Sequence, residues 1–300
     1  MSEKLALIGG SKAVPDSAHM PWPHITEEDR QAVLRALQPG GMSSELCPEI
    51  KALETEWADY VGAKYCIATN SGTSSLHMAV AATGLGPGDA VIVPAYTFVA
   101  TATAVLHHNA IPVFVDVEPD TWNLDASKIE AAITPCIKGL LPVHLNGYPA
   151  DMDEINAIAG KHDLVVIEDA CQSHGAEHQG RKTGTLADAA AFSLNTFKNL
   201  SGQDGGLFVT NDEEIYKSAK IVQEFGERIY KGKKRQYQSY TMGCMYRMTD
   251  LTAAFVRSQL KRLDEMNACR IANALAITEA LQEYDFITFP PYKKDRTCVY

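Results

Sequence analysis

Four short segments carry side chains that could do chemistry. Val166-Ile-Glu-Asp169-Ala reads as a buried strand ending in a carboxylate, at the sheet edge where open α/β proteins place their ligands. Ala190-Ala-Phe-Ser193-Leu-Asn reads as another strand, running into Thr196-Phe-Lys198-Asn-Leu and the glycines Gly202, Gly205 and Gly206. A lysine in such a loop, beside Phe197 and Leu200, can be partly desolvated, which lowers its pKa and frees a nucleophilic amine. Thr69-Asn-Ser71-Gly72-Thr73-Ser74 follows a short strand and opens a helix, so its free N–H groups and hydroxyls could receive a phosphate. Pro94-Ala-Tyr96-Thr97-Phe98 offers aromatic faces at a strand end for stacking on a flat ring. Singly, each also fits a plain structural role: Asp169 a helix cap or ion pair, Lys198 a solvated loop lysine, Ser71 an ordinary cap, Phe98 a core aromatic.

Together they match one requirement. A pyridoxal cofactor needs a lysine to bond it, a carboxylate to hold its pyridine nitrogen protonated, a phosphate cup and a stacking partner. All four occur, in a compatible order. The ordered segments Ser-Gly-Thr, Pro-x-Tyr-Thr-Phe, Glu-Asp-Ala and Ser-x-x-x-x-Lys-Asn-Leu closely resemble the DegT/DnrJ/StrS family of sugar and aminocyclitol aminotransferases, from about Trp22 onward.

The resemblance implies a fold-type I architecture with pyridoxal 5'-phosphate as cofactor. Matched motif by motif, Lys198 is the Schiff-base lysine, Asp169 the pyridine-nitrogen partner and Phe98 the stacking aromatic. Gln172 lies near the ring hydroxyl, and Gly72, Thr73 and Ser193 bind the phosphate. Gly243-Cys-Met-Tyr-Arg247-Met-Thr-Asp250 resembles a stretch that enters the neighbouring subunit's site, which implies a homodimer with shared active sites. Arg247 stands where relatives often carry Asn, and its guanidinium could grip the phosphate in bidentate fashion or bind substrate instead. Asp204 replaces a common Glu, and Asn195 a common His. The implied reaction moves an amino group from glutamate or glutamine to a ketosugar or an inosose-type ketocyclitol with ping-pong kinetics. The stretches Pro142–Gly147 and Asp169–Gly175 resemble the cyclitol branch as much as the nucleotide-sugar branch.

Those residues need a scaffold. Short apolar runs alternate with helical patterns from about residue 64 to 212, the signature of a mainly parallel, helix-covered α/β sheet. Seven strands are predicted: Tyr65–Ala68, Ala90–Pro94, Ile111–Asp116, Gly139–His144, Leu164–Glu168, Ala189–Leu194 and Gly206–Thr210. Helices are predicted at Thr26–Leu37, Pro48–Val61, Ser74–Thr83, Thr97–His108, Asp125–Ala132 and Met152–His162. A long helical pattern follows over Thr249–Glu283, then an apparent strand over Asp285–Pro291. Residues 1–248 thus read as two helices plus the large cofactor domain, and 249–300 as a connecting helix and the start of a smaller, incomplete domain. The turn Pro39–Leu46 and the loop Gln223–Tyr240 are expected at the substrate rim.

Composition narrows the classes. At 300 residues, 46% hydrophobic and with net charge -10, the chain can bury a large core and carries no basic footprint for nucleic acid or anionic membrane. The basic run Lys231–Arg235 reads as a solvated loop. Seven scattered cysteines without a CxxC pair, no signal-like N-terminus and no membrane-length apolar run point to the cytoplasm. Adjacent His107 and His108 cannot both face one metal from a regular helix, so no metal site is expected. Three other readings compete. A lysine-less dehydratase of the same fold is opposed by Lys198, and a cysteine desulfurase by the lack of a loop cysteine motif, Cys171 reading as a small buried residue. A cofactor-free interaction protein is opposed by the Lys198 and Asp169 pair.

Overall fold

Runs of β-branched and small apolar residues suit a sheet covered on both faces, and seven of them pair into one. The structure is a computed structural model and describes residues 4, 6–12, 14–15, 21–38, 47–229, 234–291 and 293–300. In chain order the elements are α1 (Glu27–Ala36), α2 (Pro48–Val61), β1 (Tyr65–Thr69), α3 (Gly72–Ala82), β2 (Ala90–Pro94), α4 (Ala100–His107), β3 (Ile111–Val115), α5 (Ala126–Ala132) and β4 (Ile137–Leu140). They continue with α6 (Met152–His162), β5 (Val165–Asp169), β6 (Glu177–His178), β7 (Arg181–Lys182), β8 (Ala189–Ser193), β9 (Gly206–Thr210), α7 (Glu213–Gln223), α8 (Asp250–Leu260), α9 (Leu263–Leu281) and β10 (Arg296–Thr297). The large sheet has the order β1-β9-β8-β5-β4-β2-β3. Only β9 runs against its neighbours. The C-terminal ends of β1, β2, β5 and β8 therefore share one edge.

Alternation along each strand builds two faces. Ile67, Val91, Val93, Ile167 and Phe208 pack under α3, α4 and α7. On the other face, Ala68, Phe192 and Val209 meet Leu53 and Trp57 of α2 and Val256 of α8, while Ile92 and Leu140 meet Ile129 of α5 and Ile155 of α6. Burial of a large apolar side chain such as Leu53 contributes about 1.5–3 kcal/mol. Helix ends follow local chemistry. Thr26 and Asp29 form a capping box at α1. Pro48 opens α2, and Gly62 closes it in the left-handed conformation that glycine adopts most easily.

Two expectations for the C-terminal part change. The pattern Thr249–Glu283 breaks into α8 and α9, where Arg262 N–H donates to Gln259 carbonyl in a tighter turn. The Arg262 guanidinium reaches the buried Asp29 at 2.8 Å, a tertiary bond that a helical period cannot reveal. Asp285–Pro291 forms no strand, because Pro290 and Pro291 lack N–H donors and Phe286 points to solvent. The strand lies later instead, as β10, which pairs with β6 in a small sheet ordered β10-β6-β7. The expected rim turn Pro39–Leu46 falls outside the described residues, as do residues 230–233 of the loop over 223–240, which include the start of the basic run. Among the described residues no helix is long and apolar enough to cross a membrane.

Candidate active site

The site is built where α3 starts. Ser71 caps the helix by accepting the Ser74 N–H at 3.0 Å, and the N–H groups of Gly72 and Thr73 have no intrahelical acceptor. A Cβ at Gly72 would lie 2.6 Å from Cβ of Ser193, so only glycine lets this helix end close on β8. Gly206 is equally constrained, its Cβ position falling 2.4 Å from the Ser71 carbonyl oxygen. The result is a concave end of free N–H groups facing the Ser193 hydroxyl, with the chemistry of an oxyanion or phosphate cradle. Gly72→Ala should cost about 1–3 kcal/mol by overpacking. A shift of the urea unfolding midpoint measures it, and an unchanged midpoint would contradict the close packing.

Next to β8 stands β5, whose last residue Asp169 is 5% exposed. Its Oδ2 accepts from Thr101 Oγ1 at 2.7 Å and its Oδ1 from the Cys171 N–H at 3.1 Å. Thr101 in turn shares a 2.9 Å hydroxyl bond with Thr97, so the Tyr96–Phe98 loop and Asp169 are tied together. Thr101 was not legible as a site residue. Its only signal is the four-residue spacing from Thr97, which puts both on one side of a helical turn. Phe98 is 70% exposed, with its neighbour Tyr96 also open, at the same sheet edge.

Lys198 is half-buried in the loop between β8 and β9. That loop is closed at its base by Leu194 N–H to Gly205 carbonyl and Gly202 N–H to Leu194 carbonyl, and Lys198 N–H donates to Asn195 carbonyl. Cys171 is a packing residue whose thiol donates to the Ala191 carbonyl. Gln172 sits on the same loop, its Oε1 accepting the Asn146 N–H at 2.8 Å.

Arg247 stands apart from the lysine. Its backbone bridges to Thr69 at the end of β1, while its guanidinium pairs with Glu224. Two histidines of the stretches that resemble the cyclitol branch are buried packing residues. His144 is fully buried, accepts the Ala150 N–H at Nδ1 and so donates from Nε2 to Glu168, whose oxygens also hold the N–H groups of Gly184 and Leu186. His174 is fully buried between Trp57 and Phe192. Burial first, and the nearby Lys198 charge second, push its pKa down to about 3.

Comparison with known proteins bears on family and fold. The model of the DegT/DnrJ/EryC1/StrS aminotransferase family matches residues 23–300. The chain is 42% identical over 248 residues to GDP-perosamine synthase of Caulobacter vibrioides, covering 83% of this chain and 66% of that protein. Among solved structures, DesV of S. venezuelae superposes with a TM-score of 0.85 at 37% identity, over 91% of this chain and 72% of that one. NtdA of Bacillus subtilis, solved with bound cofactor PMP, superposes at 0.81 with 34% identity, over 92% of this chain and 63% of that one. The chain therefore spans about two thirds of the length of such relatives, within the fold-type I architecture they share.

Proposed function

We propose that this chain, which belongs to the DegT/DnrJ/EryC1/StrS aminotransferase family, carries pyridoxal 5'-phosphate on Lys198 and transfers an amino group from glutamate or glutamine to the keto carbon of a sugar. One observation carries the reading: a half-buried lysine, a buried and hydrogen-bonded carboxylate and a glycine-opened helix end meet at a single sheet edge. The PMP bound in NtdA supports the cofactor, and the relative named for GDP-perosamine supports a nucleotide-linked sugar as acceptor.

When bound, the cofactor supplies a carbonyl that takes up amines and a ring that withdraws electrons. The chain's own residues do the rest. N–H groups of Gly72 and Thr73 and the Ser193 hydroxyl would hold the phosphate, Phe98 would stack on the ring, and Gln172 would sit near the ring hydroxyl. Asp169 holds a proton on the ring nitrogen. Lys198 would bond the cofactor at rest and, when freed, its Nζ would take a proton from the reacting carbon and return it.

Arg247 reaches the phosphate or the substrate of a neighbouring subunit, in a two-fold dimer with shared sites. Sedimentation should give a dimer at working concentration; a monomer that keeps full activity at high dilution would rule the shared site out.

The direct test adds pyridoxal phosphate to the purified protein and records the visible spectrum. The natural chain should gain a band that borohydride fixes, with the added mass on the peptide containing Lys198, and Lys198→Ala should show neither. A folded natural chain without the band would sink the reading.

A further inference from the structure

The sheet sets Asp169 against Ala191, but Lys198 lies several residues beyond the end of β8, where no strand pairing holds it. Two side-chain amides bridge the gap. Asn199, the neighbour of Lys198, donates from Nδ2 to Oδ1 of Asn267 and to the Val299 carbonyl, both at 3.1 Å. Asn267 then donates from its own Nδ2 to the His174 carbonyl at 2.8 Å, on the loop that follows Asp169.

Asn267 is a costly residue for its position. It is 5% exposed, and on α9 only Leu263 is buried beside it. A buried amide is tolerated when its donor and acceptor are both satisfied, and here each is used on a different loop. The contact is close on the far side too, since a Cβ at Gly175 would fall 2.9 Å from Asn267 Nδ2. The bridge therefore has one length and one direction: lysine loop to α9 to aspartate loop.

We infer that Asn267, acting with Asn199, is a positioning residue that holds the Lys198 loop in register with the Asp169 loop. The inference rests on the reading of Lys198 as the cofactor-bonding amine. A misplacement of about 1 Å between reacting groups costs on the order of a hundredfold in rate.

The test uses Asn199→Ala, Asn267→Ala and the double variant of the whole chain, with two readouts. One is the rate at which added pyridoxal phosphate produces the borohydride-fixable band. The other is amide hydrogen exchange over residues 195–203 in the cofactor-free protein. Each single variant should slow band formation by roughly ten- to a hundredfold and speed exchange in the loop. The double variant should be no worse than the singles, because both residues serve one bridge. Unchanged rate and exchange, or strictly multiplicative losses in the double variant, would overturn the inference. Should Asn267→Ala fail to fold, Asn199→Ala at the more exposed end decides alone. If the natural chain forms no band, the cofactor reading fails, while hydrogen exchange still decides whether the bridge holds the loop.

Discussion

Asp169→Asn should slow the donor half-reaction by roughly a thousandfold, the size of effect seen when one preorganised electrostatic contact is removed. The carboxylate is buried at the end of β5, yet Thr101 Oγ1 and the Cys171 N–H already donate to its two oxygens. Those donors satisfy both oxygens of a buried carboxylate. Asparagine has nearly the same shape, and the Thr101 hydroxyl can turn to accept from the new amide, so the fold and the borohydride-fixable band should survive. What is lost is the negative charge that keeps a proton on the ring nitrogen. Mixing the loaded protein with glutamate and following the visible band in stopped flow measures the step without knowing the acceptor. A rate equal to that of the natural chain would remove Asp169 from the chemistry.

Acid should unfold the protein through two histidines before most paired carboxylates titrate. His174 is fully buried with neither ring nitrogen hydrogen-bonded, and its pKa falls from 6.5 to about 3. His77, 2% exposed, falls from 6.5 to about 4, through burial first and its neighbours His108 and His107 next. Both stay unprotonated in the folded chain, while the unfolded chain takes up their protons below 6.5. Unfolding is therefore favoured as pH drops from 6.5 towards 4, and stability is regained as pH rises back through that window. At about pH 4.5 the penalty is on the order of 2–3 kcal/mol for each histidine, roughly 5 kcal/mol together. That is comparable with the whole stability of an ordinary domain. Urea midpoints at pH 7 and at about pH 4.5 should differ accordingly, and His174→Leu should flatten the dependence. A natural chain equally stable at both pH values would contradict the burial of these imidazoles as unprotonated groups.

The two lines of expectation draw on different levels of structure. Most strands of the large sheet were legible because each is an apolar run of strand length ending in a polar residue or turn, whereas the strand expected at Gly139–His144 lies earlier, as β4. The helix Pro48–Val61 was legible to the residue, since proline and glycine mark its two ends. Arg247 could be found only by likeness, and its pairing with Glu224 comes from chain segments 23 residues apart.

Local order along the chain therefore specified an α/β sheet, the strand end at Asp169, the loop that carries Lys198 and the glycine that opens α3, because period, caps and backbone freedom are properties of neighbouring residues. Tertiary packing alone decided that Thr101 serves Asp169, that His144 and His174 are buried props, that Arg262 breaks the long helix on Asp29, and that Asn267 joins two loops. Each of those depends on desolvation and hydrogen bonding between residues far apart in sequence, and such pairings leave no periodic trace along the chain.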